Sequence, residues 1–327
     1  MKVLLTGASG FVGSHVLAGL RSQQIPTAVL LRRTSRPTLI ADHLPHVQVH
    51  YGGLDDAEAL RAALRGATHM IHCAGCTKAR RTDEFYTINQ TGTRHVVEAL
   101  NAQSDQIQRL VHISSLAVSG PALPSQPARE ADSPRPVSEY GKSKLAAEQE
   151  VRDRCQVPFV ILRPSAVYGP GDADFLALFK AVRAHFRPTF GDEEKALSLV
   201  FARDLAQATI QCLTHPAAAG QIYHVAAEPA VTVGEITREI ARQLEVWTVP
   251  LALPGALLWP FCLIGELGSR LTGKPGVLSR AKYPELRAPG WVCDVRRIRD
   301  GIGWSSATPL PEGIAQTREW YRSKGRL

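Results

Sequence analysis

The sequence predicts an α/β fold: a doubly wound parallel sheet covered by helices on both faces, with a smaller, mostly helical C-terminal lobe. Three observations predict it. Short apolar runs alternate with helical patterns through the first half of the chain. The first strand–helix junction carries the glycine-rich run Thr6-Gly7-Ala8-Ser9-Gly10-Phe11-Val12-Gly13. After Arg163 the alternation loosens and helical patterns dominate.

Taken in order, the expected strands are Val3–Thr6, Thr27–Leu31, Val47–Tyr51, His69–Ala74, Leu110–Ser114 and Phe159–Leu162. Each is a brief apolar or β-branched run bounded by polar or glycine residues. Helices are expected near Val12–Gln23, Asp56–Leu64, Thr82–Ala102 and Ser138–Cys155. The proline-bearing segment Pro121 to Pro136 reads as a loop beyond the fifth strand, and Pro164 to Gly171 as another. A helix is expected through about Ala184, a second over Arg203–Leu213, a strand at Ile222–Val225 and a helix at Thr232–Leu244. This divides the chain into a nucleotide-binding domain at residues 1–165, to which 195–226 returns, and a substrate lobe at 166–194 and 227–327.

A chain of 327 residues can bury a large core, and 44% hydrophobic with 21% charged residues is ordinary for a globular protein. The net charge of +8 invites a nucleic-acid reading, but the arginines are dispersed, as at Arg32-Arg33, Arg80-Arg81 and Arg296-Arg297. No long basic run with interleaved aromatics occurs, so nucleic acid is not an expected partner. Six cysteines in a long chain do not read as a disulfide framework. His72-Cys73-Ala74-Gly75-Cys76 has no second cysteine pair after it, so no metal site is expected. An apolar strand starting at Lys2 leaves no room for a signal peptide, and the expected compartment is the cytoplasm. Residues 246–265 carry no charge, but Pro250, Pro254 and Pro260 interrupt them. The stretch is read as the greasy wall of a cleft in preference to a membrane span or a peripheral membrane anchor.

The glycine run has the spacing of a dinucleotide cradle. Gly7 permits a tight turn, Gly10 lets backbone approach a diphosphate, and Gly13 lets helix pack on strand. Ser9, Phe11 and Val12 complete the backbone at the helix start, where amides and dipole favour phosphate. A glycine turn with no ligand is the bland alternative. The second strand ends in Arg32-Arg33, where NAD sites usually place an acidic residue. Two guanidinium groups suit a 2′-phosphate, so NADP(H) is expected ahead of NAD(H).

Further along, Tyr140 and Lys144 lie one helical turn apart in Ser138-Glu139-Tyr140-Gly141-Lys142-Ser143-Lys144. A phenol beside an ammonium is a poised acid/base, because positive charge favours phenolate and draws the tyrosine pKa down. Alone the pair is a weak signal; it gains weight from the glycine run and from Ser114-Ser115 upstream.

These runs, with Asn89-Gln90-Thr91-Gly92-Thr93 and Leu162-Arg163-Pro164-Ser165-Ala166-Val167-Tyr168-Gly169-Pro170-Gly171, resemble the extended short-chain dehydrogenase/reductase superfamily over nearly the whole chain. Less specifically, the uncharged stretch around Leu251–Ile264, Leu271-Thr272-Gly273-Lys274 and Trp291-Val292-Cys293-Asp294 resemble its 3β-hydroxysteroid dehydrogenase and dihydroflavonol reductase branch. The resemblance implies a Rossmann-type sheet. It implies Tyr140 as catalytic acid/base, Lys144 on the nicotinamide ribose and lowering the Tyr140 pKa, and Ser115 polarising the substrate oxygen. Leu54, Ala74-Gly75 and the segment from Pro164 to Val167 would line the cofactor, and Asn89 would brace sheet and helix. A homodimer through the helices at Thr82–Ala102 and Ser138–Cys155 is also implied.

Two departures matter. Gly53 stands where the family often has an acidic residue against adenine, leaving that contact absent or supplied by Asp55. Leu116-Ala117 stand where sugar dehydratases carry an Asp-Glu pair, which removes the acid and base of elimination. The expected function is an NADP(H)-dependent oxidoreductase interconverting a secondary alcohol and a ketone on a small, largely apolar molecule. The alternatives are an NAD-dependent nucleotide-sugar epimerase and a non-catalytic dinucleotide-binding redox sensor.

Overall fold

The computed structural model describes residues 1–190, 194–255, 258–263 and 280–327. Ile264, Gly265 and the Leu271–Lys274 run lie outside the described residues, and with them part of the uncharged stretch.

A seven-stranded parallel sheet is built from β1 (Val3–Thr6), β2 (Thr27–Leu31), β3 (Gln48–Tyr51), β4 (His69–His72), β5 (Arg109–Ile113), β6 (Phe159–Pro164) and β11 (Gln221–Val225). Its order is β11-β6-β5-β4-β1-β2-β3, with Val3 of β1 opposite Thr27 of β2 and His69 of β4. Side chains alternate between two cores, as the two-residue period of a strand requires. Val3, Leu5, Val29, Ile71, Val111 and Val160 face the helices α1 (Phe11–Ser22) and α7 (Ala202–Thr214). Leu4, Leu30, Met70, Leu110 and Ile161 face α2 (Ala57–Leu64), α4 (Gly92–Asn101) and α5 (Glu139–Arg154). The chain reverses its direction of winding between β1 and β4, and in such sheets the ligand crevice opens at the carboxyl ends of those strands.

Several boundaries differ from the sequence reading. Strand β4 stops at His72 because the next residues fold against the glycine turn, and β5 runs one residue earlier, over Arg109–Ile113. The helix expected over Thr82–Ala102 is α3 (Thr82–Phe85), a wide π turn at Tyr86–Thr91, and then α4. Pro164 to Gly171 is not wholly a loop: β7 (Ala166–Tyr168) pairs in parallel with β10 (Leu199–Phe201). Backbone pairing supplied these elements, which side-chain periodicity in three-residue strands is too short to reveal.

A second, smaller core joins α6 (Ala173–Arg183), α8 (Val233–Leu244) and the last helix, α11 (Leu310–Ser323), through Phe179, Val182, Ile236, Ile240, Ile314 and Tyr321. Helix α8 starts at a capping box between Thr232 and Glu235. Around this core lie β8 (Phe186–Phe190) paired with β13 (Val249–Leu253), and β9 (Ala196–Leu197) paired with β12 (Val231–Thr232). The short helices α9 (Tyr283–Arg287) and α10 (Arg296–Ile302) complete the chain. The Pro121–Pro136 segment is stitched to the C-terminal part, Ala122 N–H donating to Gly290 O at 3.1 Å and Ala128 N–H to Val292 O at 2.9 Å. No helix among the described residues is long and apolar enough to cross a membrane.

Candidate active site

The glycine turn leaves β1 at its carboxyl end. Gly7 has φ +77°, and a Cβ there would sit 2.5 Å from Ala74 N, so the turn and the chain after β4 touch backbone to backbone. A Cβ on Gly13 would lie 2.1 Å from Gly7 O, which is how closely α1 packs on the turn. Gly10 N–H donates to Gly7 O at 3.0 Å and caps α1 without a side-chain acceptor, leaving the first-turn amides for an external anion. This cradle, which side chains would fill, fits a dinucleotide diphosphate. Ser9 lies half-buried within it. The Phe11 ring approaches Gly171, and His15 Nε2 bonds Pro170 O at 2.7 Å, bringing the Pro164–Gly171 segment to the start of α1. Val12 and Val167 pack against the same core, while Pro164 is buried at the end of β6. Leu54 packs against Gly92 of α4, and its carbonyl meets His95 Nδ1 at 3.1 Å. A Cβ on Gly53 would coincide with Asp55 Oδ1 at 2.1 Å, so the Asp55 carboxyl occupies the space a side chain at 53 would take. Arg32 and Arg33 are exposed at the end of β2, with the Arg33 guanidinium 5.9 Å from the Tyr51 ring centroid.

Tyr140 and Lys144 stand on the first turns of α5 because Ser138 caps that helix, its Oγ accepting from Gly141 N–H at 3.0 Å. Lys144 is buried and its ammonium donates to Ile113 O at 2.7 Å, at the end of β5. Burial outweighs the favourable charges of Cys73 and Glu148 and pulls the Lys144 pKa down to about 8. A Cβ on Gly75 would lie 3.2 Å from Asn89 Oδ1 and 3.9 Å from Lys144 Nζ, which sets Ala74-Gly75 beside the lysine. Ser115 caps the short turn Leu116–Val118, accepting from Ala117 N–H at 3.2 Å. It also lies close enough to the Tyr140 hydroxyl to favour phenolate.

One expectation is corrected. The tyrosine pKa was expected to be drawn down, and instead burial pushes Tyr140 up to about 12. The Tyr140 side chain is half-buried, and desolvation outweighs the help from Ser115. Glu285, Cys76 and Cys73 push in the same upward direction.

Asn89 braces as expected. In the π turn it is buried, accepts from Cys76 N–H at 2.7 Å, and donates to Cys76 O at 3.0 Å and Ser143 Oγ at 2.9 Å. Two sets of residues escaped the sequence reading. Glu148, one further turn along the helical face of Tyr140 and Lys144, accepts from Arg163 Nε at 2.9 Å and Arg163 Nη2 at 2.7 Å. It also accepts from Ser114 Oγ at 2.5 Å. The Tyr140, Lys144, Glu148 spacing was a readable signal for it. Lys282 and Glu285 of the C-terminal part reach Tyr140 from far along the chain, and no local pattern marks them. The uncharged stretch divides: Leu258 and Cys262 are buried, whereas Trp247, Val249, Leu251, Trp259 and Phe261 are exposed.

The family described as NAD dependent epimerase/dehydratase matches residues 3–226, from β1 through the end of the parallel sheet. The chain belongs to this family. As a member of the NAD dependent epimerase/dehydratase family it is an NAD(P)-dependent enzyme of the extended short-chain dehydrogenase/reductase type. Its relatives span several reactions. A ceramide reductase of Caulobacter vibrioides is 30% identical over 99% of this chain and 96% of its own length. A UDP-glucose 4-epimerase of Vibrio cholerae is 28% identical over 98% of this chain and 95% of its own. Among solved structures, gox2253 superposes with a TM-score of 0.81 at 24% identity, covering 99% of each chain. The Thermus thermophilus UDP-glucose 4-epimerase in complex with NAD gives 0.76 at 24%, covering 98% of this chain and 99% of that one. Both support the family's fold.

Proposed function

We propose that the protein is an oxidoreductase interconverting a secondary alcohol and a ketone on a small, largely apolar molecule, with NADP(H) preferred over NAD(H). The observation that carries the reading is the convergence of Ser115, Tyr140 and Lys144 beside the glycine cradle, with buried Leu116 and Ala117 where elimination would need carboxyl groups. The activities of the Caulobacter relative and of a farnesyl-dihydroquinoline-oxide ketoreductase from Stigmatella aurantiaca, 32% identical over 56% of this chain, favour a lipid-like carbonyl substrate. The 3β-hydroxysteroid dehydrogenase and dihydroflavonol reductase branch is in keeping with such a substrate.

A bound nicotinamide dinucleotide would supply or take up the hydride exchanged at the substrate carbon. Gly7, Ser9, Gly10, Phe11, Val12 and Gly13 would hold its diphosphate end, with Leu54, Ala74, Gly75, Pro164 and Val167 alongside and Arg32-Arg33 taking a 2′-phosphate. In reduction the Tyr140 hydroxyl donates its proton to the carbonyl oxygen, and Ser115 hydrogen-bonds the same oxygen as it gains charge. A phenol pushed up to about 12 stays protonated at neutral pH, the form that donates. Lys144, fixed on Ile113 O, keeps a cation next to the acid and beside Gly75. Residues 1–165 with 195–226 would form the nucleotide-binding domain, 166–194 and 227–327 the substrate lobe, and two copies would pair through α3–α4 and α5.

Turnover of Tyr140→Phe tests this. Carbonyl reduction should fall by roughly 10²–10⁴-fold while dinucleotide affinity stays within about twofold. Near-wild-type turnover would reject the assignment. The second reading, a nucleotide-sugar epimerase, is favoured by the Vibrio cholerae relative. Purified protein that retains NAD and interconverts sugar nucleotides without net cofactor turnover would establish it instead.

A further inference from the structure

Tyr140 is enclosed from two directions that are far apart in sequence. From the nucleotide-binding side come Ser115 after β5, Cys73 and Cys76 after β4, and the Phe85 ring of α3 at 6.2 Å. On its own helix stand Lys144 and the Glu139 carboxylate, which accepts from Tyr86 Oη at 2.9 Å and from Lys142 Nζ at 2.8 Å. From the C-terminal part comes α9 with the residue before it. The Lys282 ammonium lies 4.9 Å from the Tyr140 ring centroid, within cation–π range. Lys282 also pairs with Glu285 at 2.7 Å, and both side chains are largely buried, at 26% and 15% exposed.

Glu285 in turn accepts from the Ser138 hydroxyl, the group that caps α5 two residues before Tyr140. The α9 segment is held where it stands: Trp291 Nε1 donates to Glu285 O at 3.0 Å, and Lys195 Nζ donates to Leu286 O at 2.6 Å. One ion pair from the C-terminal part therefore touches both the ring of Tyr140 and the cap of its helix.

We propose that Lys282 and Glu285 are positioning residues for Tyr140: an ion pair that clamps the phenol ring from the C-terminal part and sets the charge beside it. This rests on the reading of Tyr140 as the acid/base. The two partners act with opposite sign. The Glu285 carboxylate disfavours phenolate, as its upward push on Tyr140 indicates, and a cation at Lys282 acts in the opposite sense. The push of Glu285 persists within the pair, so the carboxylate is the stronger of the two at the hydroxyl. The clamp also makes the reactivity of Tyr140 depend on the docking of the C-terminal part, so the acid is fully ordered only where the substrate lobe is in place.

The test reads Tyr140 directly, without a substrate. Protein carrying ¹³C at the tyrosine ring carbon that bears the hydroxyl is titrated by NMR, with Tyr140→Phe identifying the resonance and circular dichroism confirming the fold. At about pH 11, Glu285→Gln should raise the phenolate fraction of Tyr140 by roughly fivefold. A lysine ammonium has largely lost its proton there and a guanidinium has not, so Lys282→Arg should also raise the fraction, and Lys282→Met should stay near wild type. A rise for Glu285→Gln and for Lys282→Arg with none for Lys282→Met supports the pair, and a merely structural role predicts none. Equal fractions in all variants, or a fall in Glu285→Gln or Lys282→Arg, overturn the proposal. If Glu285→Gln loses its native circular dichroism, Lys282→Arg carries the comparison. Should Tyr140→Phe retain full carbonyl reduction, the functional reading fails while the titration still decides whether the pair controls the phenol.

Discussion

Arg163 and Glu148 meet in the interior with two hydrogen bonds, Nε to Oε1 at 2.9 Å and Nη2 to Oε2 at 2.7 Å, and neither side chain is more than 2% exposed. The pair joins β6 to α5 and extends to Ser114, Ser119 and His224. A buried pair contributes little over an apolar replacement, but losing one partner strands the other charge. Glu148→Ala should therefore destabilise the fold by about 3–5 kcal/mol, read as a fall in the urea midpoint. A midpoint within experimental scatter of wild type would show that Arg163 finds another partner.

At Gly7 the backbone is left-handed and the space for a Cβ is already taken by Ala74 N. Gly7→Ala should lower the melting temperature and weaken dinucleotide binding about tenfold or more, since αL strain alone costs roughly 1–2 kcal/mol before the clash is counted. Calorimetric titration with NADP(H) checks the affinity.

Cofactor choice is tested at Arg32 and Arg33. If they grip a 2′-phosphate, the double change Arg32→Ala with Arg33→Ala should weaken NADP(H) by roughly 10–100-fold, the worth of a charged hydrogen bond, and leave NAD(H) within about twofold. Equal affinity of the wild type for both dinucleotides would remove the preference.

Acid should destabilise the protein through its buried histidines. Burial lowers the pKa of His72 and of His224 to about 3, and that of His112 well below the usual value. Unfolded, each would bind a proton near pH 6.5; folded, each stays neutral, so the unfolded state holds more protons below that pH. Stability is full above pH 6.5 and is lost as pH falls toward the folded values. Each histidine should cost about 2 kcal/mol by pH 5, seen as a melting temperature that drops between pH 7 and 5. His72→Asn should flatten part of that dependence.

Much of the sheet was legible because most of its strands are apolar and several, such as β1, β3 and β4, are followed by a helix. The glycine turn was legible for a different reason: Gly7 and Gly13 answer local steric demands that other residues cannot meet. Elements of two or three residues, such as β7, β9 and β12, left no periodic trace and came from pairing alone. Lys282 and Glu285 were invisible for want of any local pattern, since what makes them part of the site is where α9 packs.

By itself the sequence determined the doubly wound sheet, the cradle at Gly7 to Gly13, and the one-turn spacing of Tyr140 and Lys144, because these depend on residues near one another along the chain. Only the tertiary structure decided the state of that pair. Whether an ammonium lowers a neighbouring phenol or burial raises it depends on how much water both have lost, and enclosure by elements from the whole chain holds Tyr140 protonated at neutral pH.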